Sequence, residues 1–240
     1  MEIKGKVHLF FEQSGTFKNT FRQLGINAED YDIQNNFGET DHIIDLFDEI
    51  EKAYIDESSL FDSITEDDLI IAFFPCIYFS CLSQMNMYWD AQNNKGLSIK
   101  QQTKKILERS KEREKFWGLA IKMLCVGRER GLRLVMENPW SIQTYLKANF
   151  VMSPTIIDKD RSLRGDIFKK ETAYFFINCN PTYGETYQPR KSIKVMSAKA
   201  SKKAGVCSED RSMITKEYAM NFVCDFILGK AKKYTQLKLF

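Results

Sequence analysis

Residues 68–74 read DLIIAFF, and after the aspartate the side chains are apolar without interruption. A strand with one solvent face alternates apolar and polar residues. A strand with no polar face is buried on both sides, as in the middle of a parallel sheet covered by helices. The neighbouring chain supplies the covering helices. KVHLFF (6–11) is a short β-rich run, and SGTFKNTFRQLG (14–25) follows at once, with Ser14 as N-cap. Phe17, Phe21 and Leu24 share a helical face there, and Gly25 marks the end.

The alternation continues. INAEDYDIQ predicts a second strand ending near Asp32. DHIIDLFDEIEKAYI predicts a helix with Ile43, Leu46, Phe47, Ile50 and Tyr54 on one face. Residues 82–96 read as a loop, and a long helix is expected over 98–130. LRLVME is a further strand, SIQTYLKA a short helix, TAYFFINC another strand, and a last helix runs from about Thr215 to Gly229. Strands alternating with helices predict a doubly wound, mainly parallel α/β sheet. The expected organisation is a main domain over 1–178, a basic irregular segment over 179–213, and a C-terminal helix within 214–240 that packs back on the domain.

Composition narrows the function classes. A chain of 240 residues with 43% hydrophobic and 13% aromatic content suits one sizeable core. Six cysteines form no C-x-x-C pair, and His8 and His42 are the only histidines. A structural zinc site is therefore not expected, nor any other metal site. No stretch reads as a signal peptide or a bilayer span, so the expectation is a cytoplasmic protein with reduced thiols and no membrane partner. The net charge of +3 permits a polyanionic partner without demanding one. Residues 180–205 hold Arg190, Lys191, Lys194, Lys199, Lys202 and Lys203 against a single acid, Glu185.

In open α/β sheets, ligands bind beyond the carboxyl ends of the strands. After the first strand, FFEQSGTF is a turn into a helix in which Gly15 admits close approach of a ligand, or simply makes the turn. After the second, Asp32 would accept ribose hydroxyls or sit exposed at a strand end. Asp45 would meet an adenine or solvate a helix. After DLIIAFF comes Pro75-Cys76. Cys76 is either a small hydrophobe closing the strand or a nucleophile at its exit. After LRLVM comes Glu137, which would hold a proton with a raised pKa or pair with Arg133.

These pieces, in this order, resemble the S-adenosylmethionine-dependent DNA cytosine-5 methyltransferases over about residues 7–178. PCIYFS resembles that family's Pro-Cys motif, LVMENP its Glu-Asn strand end, and HLFFEQSGTFKNTFRQLG its opening strand, turn and helix. The resemblance implies a Rossmann-like class I methyltransferase fold and S-adenosylmethionine as cofactor. It also implies that Cys76 attacks C6 of a cytosine flipped out of DNA while Glu137 bonds N3. Phe10, Phe11, Gly15, Asp32, Ile33, Asp45 and Pro75 would line the cofactor site. The segment from Ser80 to Trp89 would close over the base, with Ser80 at the nucleic acid. DRSLRGDIFKKETAYFF resembles the segment that supplies an arginine near the base, Arg164 first and Arg161 second. Arg190, Lys191 and Lys194 would contact phosphates from a reduced recognition element. Two other readings keep the scaffold: a catalytically silent protein that binds nucleic acid or a partner protein, and an enzyme acting on RNA or a free nucleotide. Oligomeric state is not legible.

Overall fold

A computed structural model describes residues 1–141, 144–192 and 212–230. Seven strands form one sheet: β1 (Val7–Phe10), β2 (Ala28–Asp32), β3 (His42–Ile43), β4 (Leu69–Ala72), β5 (Leu134–Pro139), β6 (Ile156–Asp158) and β7 (Thr172–Ile177). Their spatial order is β3-β2-β1-β4-β5-β7-β6. All neighbours are parallel except at β7, which runs antiparallel to both β5 and β6. The chain is thus α/β with a mixed, mainly parallel sheet.

Side-chain alternation along the strands divides the core in two. Phe10, Ile70, Ala72, Leu134 and Met136 point to one face, which is covered by α2 (Leu46–Tyr54) and the long α4 (Ile99–Glu129). Val7, Leu9, Leu69, Ile71 and Val135 point to the other. That face is covered by α1 (Thr16–Gln23) and, beyond the short α5 (Tyr145–Asn149) in sequence, by the C-terminal α6 (Lys216–Phe222), which continues into a π-helical turn at Val223–Leu228. Both faces of β4 are therefore buried, as its unbroken apolar run demands. A buried ion pair, Lys18 to Asp30 at 3.0 Å, fixes α1 against β2.

The structure departs from the sequence reading at four places. Gly15 in a left-handed conformation, not Ser14, is the N-cap of α1, and that residue makes no side-chain cap bond. The helix expected from Asp41 begins only at Leu46, because Asp45 caps it by accepting from the Phe47 N–H at 3.0 Å. His42 and Ile43 instead pair with Tyr31 and Asp32 as an edge strand. Ile43 is consequently exposed. Residues 82–96 are not a plain loop: α3 (Cys81–Met85) and a 3-10 turn (Gln92–Asn94) lie there, α3 being started by Ser80. Finally, the sequence does not predict the edge strand β6, since three residues are too few for a period to show.

Phe222 shows how α6 is held. Its fully buried ring meets Tyr174 at 4.5 Å, Phe226 at 5.4 Å and Phe17 at 5.9 Å between centroids. Phe222→Ala is expected to destabilise the fold by about 3–5 kcal/mol, read by urea unfolding. A loss below about 1 kcal/mol would mean that α6 is not part of the cooperative core.

Candidate functional site

From β1 the chain runs outward to β2 and β3, then returns to place β4 on the other side of β1. Such a reversal opens a crevice beyond the carboxyl ends of the two central strands. A cavity of about 490 Å³ fills that crevice, a size suited to a small organic ligand. Its walls come from the turn after β1, the exit of β2, the start of α2, the exit of β4, and Glu137, Arg161 and Lys170 on the far side.

The turn after β1 is strained and self-capped. Phe11 has φ 59°, a left-handed conformation that costs a bulky residue roughly 1–3 kcal/mol. It is held there by donation of its N–H to Tyr31 O at 2.9 Å and by its ring packing on Phe74 and Phe47 at 5.3 and 5.4 Å. Gly15 takes φ +65° ahead of α1. The buried Glu12 carboxylate accepts from the Thr16 N–H at 2.7 Å, the Lys18 N–H at 3.4 Å and the Ser14 hydroxyl at 2.7 Å. Burial pushes its pKa up, and these donors oppose the shift. A helix N-terminus ordinarily attracts a ligand phosphate or carboxylate. Here the chain's own carboxylate occupies that place, so the turn favours a neutral or cationic group over an anion.

Two further carboxylates lie along the same wall. Asp32, at the exit of β2, accepts from the Gln34 N–H at 2.8 Å and has its pKa raised by burial. Asp45 is the N-cap of α2 and also borders the cavity. Ile33, Phe47, Phe74 and Pro75 add apolar surface.

The exit of β4 is braced from several sides. The buried Asn138 side chain donates to Phe74 O at 3.1 Å, tying the exit to β5. Cys76 O accepts from the Phe79 and Ser80 N–H groups at 2.9 and 3.1 Å, forming a turn. Arg113 of α4 donates to Tyr78 O at 3.0 Å and stacks over Tyr145 at 4.7 Å. Cys76 is thereby presented to the cavity, half-buried. Desolvation, reinforced by the nearby Glu137, pushes its thiol up to about 11, while Lys170 pulls it down. Glu137 lines the same cavity from β5, 9% exposed. Burial raises its pKa, and Arg161 and then Lys170 oppose the rise.

Sequence-selected residues thus converge in part. Phe11, Asp32, Ile33, Asp45, Pro75, Cys76 and Glu137 share one cavity. Phe10 does not: one position earlier on β1, its ring is inside the core against Tyr31 and Phe61 at 5.5 and 5.6 Å. Gly15 shapes the turn without bordering the cavity. Ser80 is occupied as the cap of α3, accepting from the Ser83 N–H at 3.3 Å. Arg164 is drawn elsewhere, to Asp158 at 3.2 Å and to Asp225, and it borders a separate cavity of about 520 Å³. Arg161, the second choice in sequence, lines the Cys76 cavity instead. It is fixed by a buried ion pair to Asp166 and by stacking over Tyr218 at 4.6 Å. Its Nε has no acceptor among the described residues. Arg190 pairs with Glu217 at 2.8 Å, and Lys191 is exposed. Lys194 lies outside the described residues.

Glu12 and Lys170 carried no assigned role in the sequence reading. Glu12 sits where a small residue fits a glycine turn, and Lys170 is one of two adjacent lysines. Only the fold shows that Lys169 is exposed while Lys170 borders the cavity. Among the described residues no cluster of His, Cys, Asp and Glu is arranged to hold a metal ion, and no helix is long and apolar enough to cross a membrane. No protein-family model matches the chain, and no curated protein matches it in sequence.

The thiol environment has a direct readout. Iodoacetamide reacts with thiolate, so labelling of Cys76, followed by peptide mass spectrometry, should be slow at neutral pH and climb about tenfold per unit between pH 6 and 8. Fast, pH-independent labelling in that range would contradict a thiol raised to about 11.

Proposed function

We propose that the chain is a DNA cytosine-5 methyltransferase with a Rossmann-like class I fold, using S-adenosylmethionine. The observation that carries this reading is that Cys76, at the exit of β4, and Glu137, on the neighbouring β5, border one cavity. The other walls fit the cofactor: Asp32 for ribose hydroxyls, Phe11, Ile33 and Phe47 for an adenine, and Glu12 toward a sulfonium and an amino group rather than a phosphate.

The chemistry follows from the two groups. As thiolate, Cys76 Sγ adds to C6 of the cytosine. Glu137, whose pKa burial raises, would bond N3 in its protonated form and give it that proton, stabilising the charge that develops on the ring. Arg161, in the same wall, would donate from its guanidinium to the exocyclic carbonyl oxygen O2. When bound, S-adenosylmethionine supplies the electrophilic methyl group that the activated C5 accepts. Water then takes the C5 proton, the freed electron pair re-forms the C5=C6 double bond, Cys76 departs as thiolate, and N3 returns its proton to Glu137. A base stacked in a duplex cannot reach this cavity, so the cytosine must be extruded.

The test is covalent trapping. With DNA carrying 5-fluorocytosine and S-adenosylmethionine, the protein should form a stable adduct, and Cys76→Ala should form none. Glu137→Gln should slow trapping by about 10²-fold or more. Adduct formation by Cys76→Ala would remove the thiol from its role, and no adduct with the unaltered protein would favour the silent-scaffold reading.

A further inference from the structure

Arg161 opens a 3-10 turn, Arg161–Leu163, and the chain from there to Gly165 rests on α6. The hydroxyl of Thr215, the N-cap of α6, donates to Gly165 O at 2.8 Å, and the Asn221 side chain donates to Arg164 O at 2.9 Å. Gly165 has φ +96°, and a Cβ there would lie 3.1 Å from the Glu217 Cβ, so a side chain would push the turn off the helix. Tyr218 stands on the same helix and is fully buried. Its hydroxyl is held between Tyr174 Oη at 2.7 Å and Asp158 Oδ2 at 3.0 Å. Asp158 is in turn paired with Arg164 at 3.2 Å. The ring is therefore tethered at its far end, and the Arg161 guanidinium lies 4.6 Å from its centre.

The two contacts of Arg161 do different things. Asp166 grips one terminal nitrogen. A grip at one nitrogen leaves the guanidinium plane free to turn about it. An aromatic face sets that plane, because a planar guanidinium stacks on it. Arg161, Asp166 and Tyr218 are all buried, so water does not screen the contact.

We propose that Tyr218 is a positioning residue for the reaction: its ring is the platform that holds the Arg161 guanidinium in the cavity wall, with donors directed at O2 of the cytosine. Tyr218 does not border the cavity and acts only through Arg161. In this account α6 is part of the site as well as a cover for the sheet. Ser212, Met213 and Ile214, which lead into it, border the same cavity.

The role in the reaction rests on the methyl-transfer reading; the platform does not, and separate measurements decide the two. The platform is read by proton–nitrogen correlation spectra, in which the Arg161 Nε–H signal is identified by its loss in Arg161→Gln. In the unaltered protein the Arg161 side-chain protons should show a nuclear Overhauser contact to the Tyr218 ring. Exchange of the Nε–H with water should be about tenfold or more faster in Tyr218→Leu and nearly unchanged in Tyr218→Phe, which keeps the ring. Absence of the ring contact, or unchanged exchange in Tyr218→Leu, would overturn the platform.

The reaction role is read by the rate of 5-fluorocytosine trapping at saturating DNA. Tyr218→Phe should trap within about threefold of the unaltered rate, and Tyr218→Leu about tenfold or more slowly with DNA affinity within about twofold. In an Arg161→Gln background, Tyr218→Leu should cost less than about twofold, because nothing is left to position. An equal loss in both backgrounds would make Tyr218 merely structural and overturn the proposal. Where Tyr218→Leu does not fold, as judged by circular dichroism, the ring contact in the unaltered protein and the Tyr218→Phe rate still decide. A loss in Tyr218→Phe of about tenfold or more would place the effect in the hydroxyl and overturn a ring platform. The ring contact without any adduct in the unaltered protein would leave the platform standing and remove the role in methyl transfer.

Discussion

The hydrogen bond from the Asn138 side chain to the carbonyl of Phe74, 3.1 Å long, is the tie on which the cavity depends. It joins the exit of β4 to β5 just beyond the last pair those two strands share, while β5 stays paired with β7 through Pro139. On one side of it stands Pro75-Cys76, on the other Glu137. The pairing of Ala72 with Met136 aligns the strands up to that level, and the side-chain bond carries the alignment past the last ladder bond. The buried Oδ1 of Asn138 has no partner among the described residues, so the bond from its Nδ2 is what ties the two strands at this level.

Around that tie the cavity is divided by charge. The wall nearest α1 is filled by the chain's own anion, Glu12, which closes the helix N-terminus from within. The wall nearest β5 and β7 sets two acids, Cys76 and Glu137, against two cations, Arg161 and Lys170. The first arrangement selects what sits at the turn: a group without negative charge. The second keeps the inner groups at pKa values well away from those in water. Desolvation is the leading cause at each of these three, and it is a consequence of the same burial that makes β4 and β5 central strands.

The fold was legible in the chain to the extent that burial patterns are local. The unbroken apolar run of β4 and the helical spacing of Phe17 and Phe21 locate the sheet and its cover. The strand at His42–Ile43 is not legible in the sequence because Ile43 also fits a helical face, and only the cap at Asp45 separates strand from helix. Within the cavity, Cys76 and Glu137 could be selected because strand ends are where α/β folds bind. Phe10 and Phe11 could not be told apart, since a one-residue difference in where the strand stops decides which ring faces the core. Arg161 and Arg164 are likewise adjacent in pattern and opposite in fate. Their ion-pair partners decide it: Asp166 is nearby in the chain, whereas Asp225 lies in the C-terminal helix.

The central claim is that Cys76 adds reversibly to C6 of a cytosine held against Glu137. That addition alone, without any methyl donor, makes the C5 hydrogen exchangeable with water. Release of tritium from DNA labelled at cytosine C5 therefore tests the claim most directly. The account predicts release by the unaltered protein in the absence of S-adenosylmethionine, and none by Cys76→Ala. Release by Cys76→Ala at an undiminished rate would contradict it.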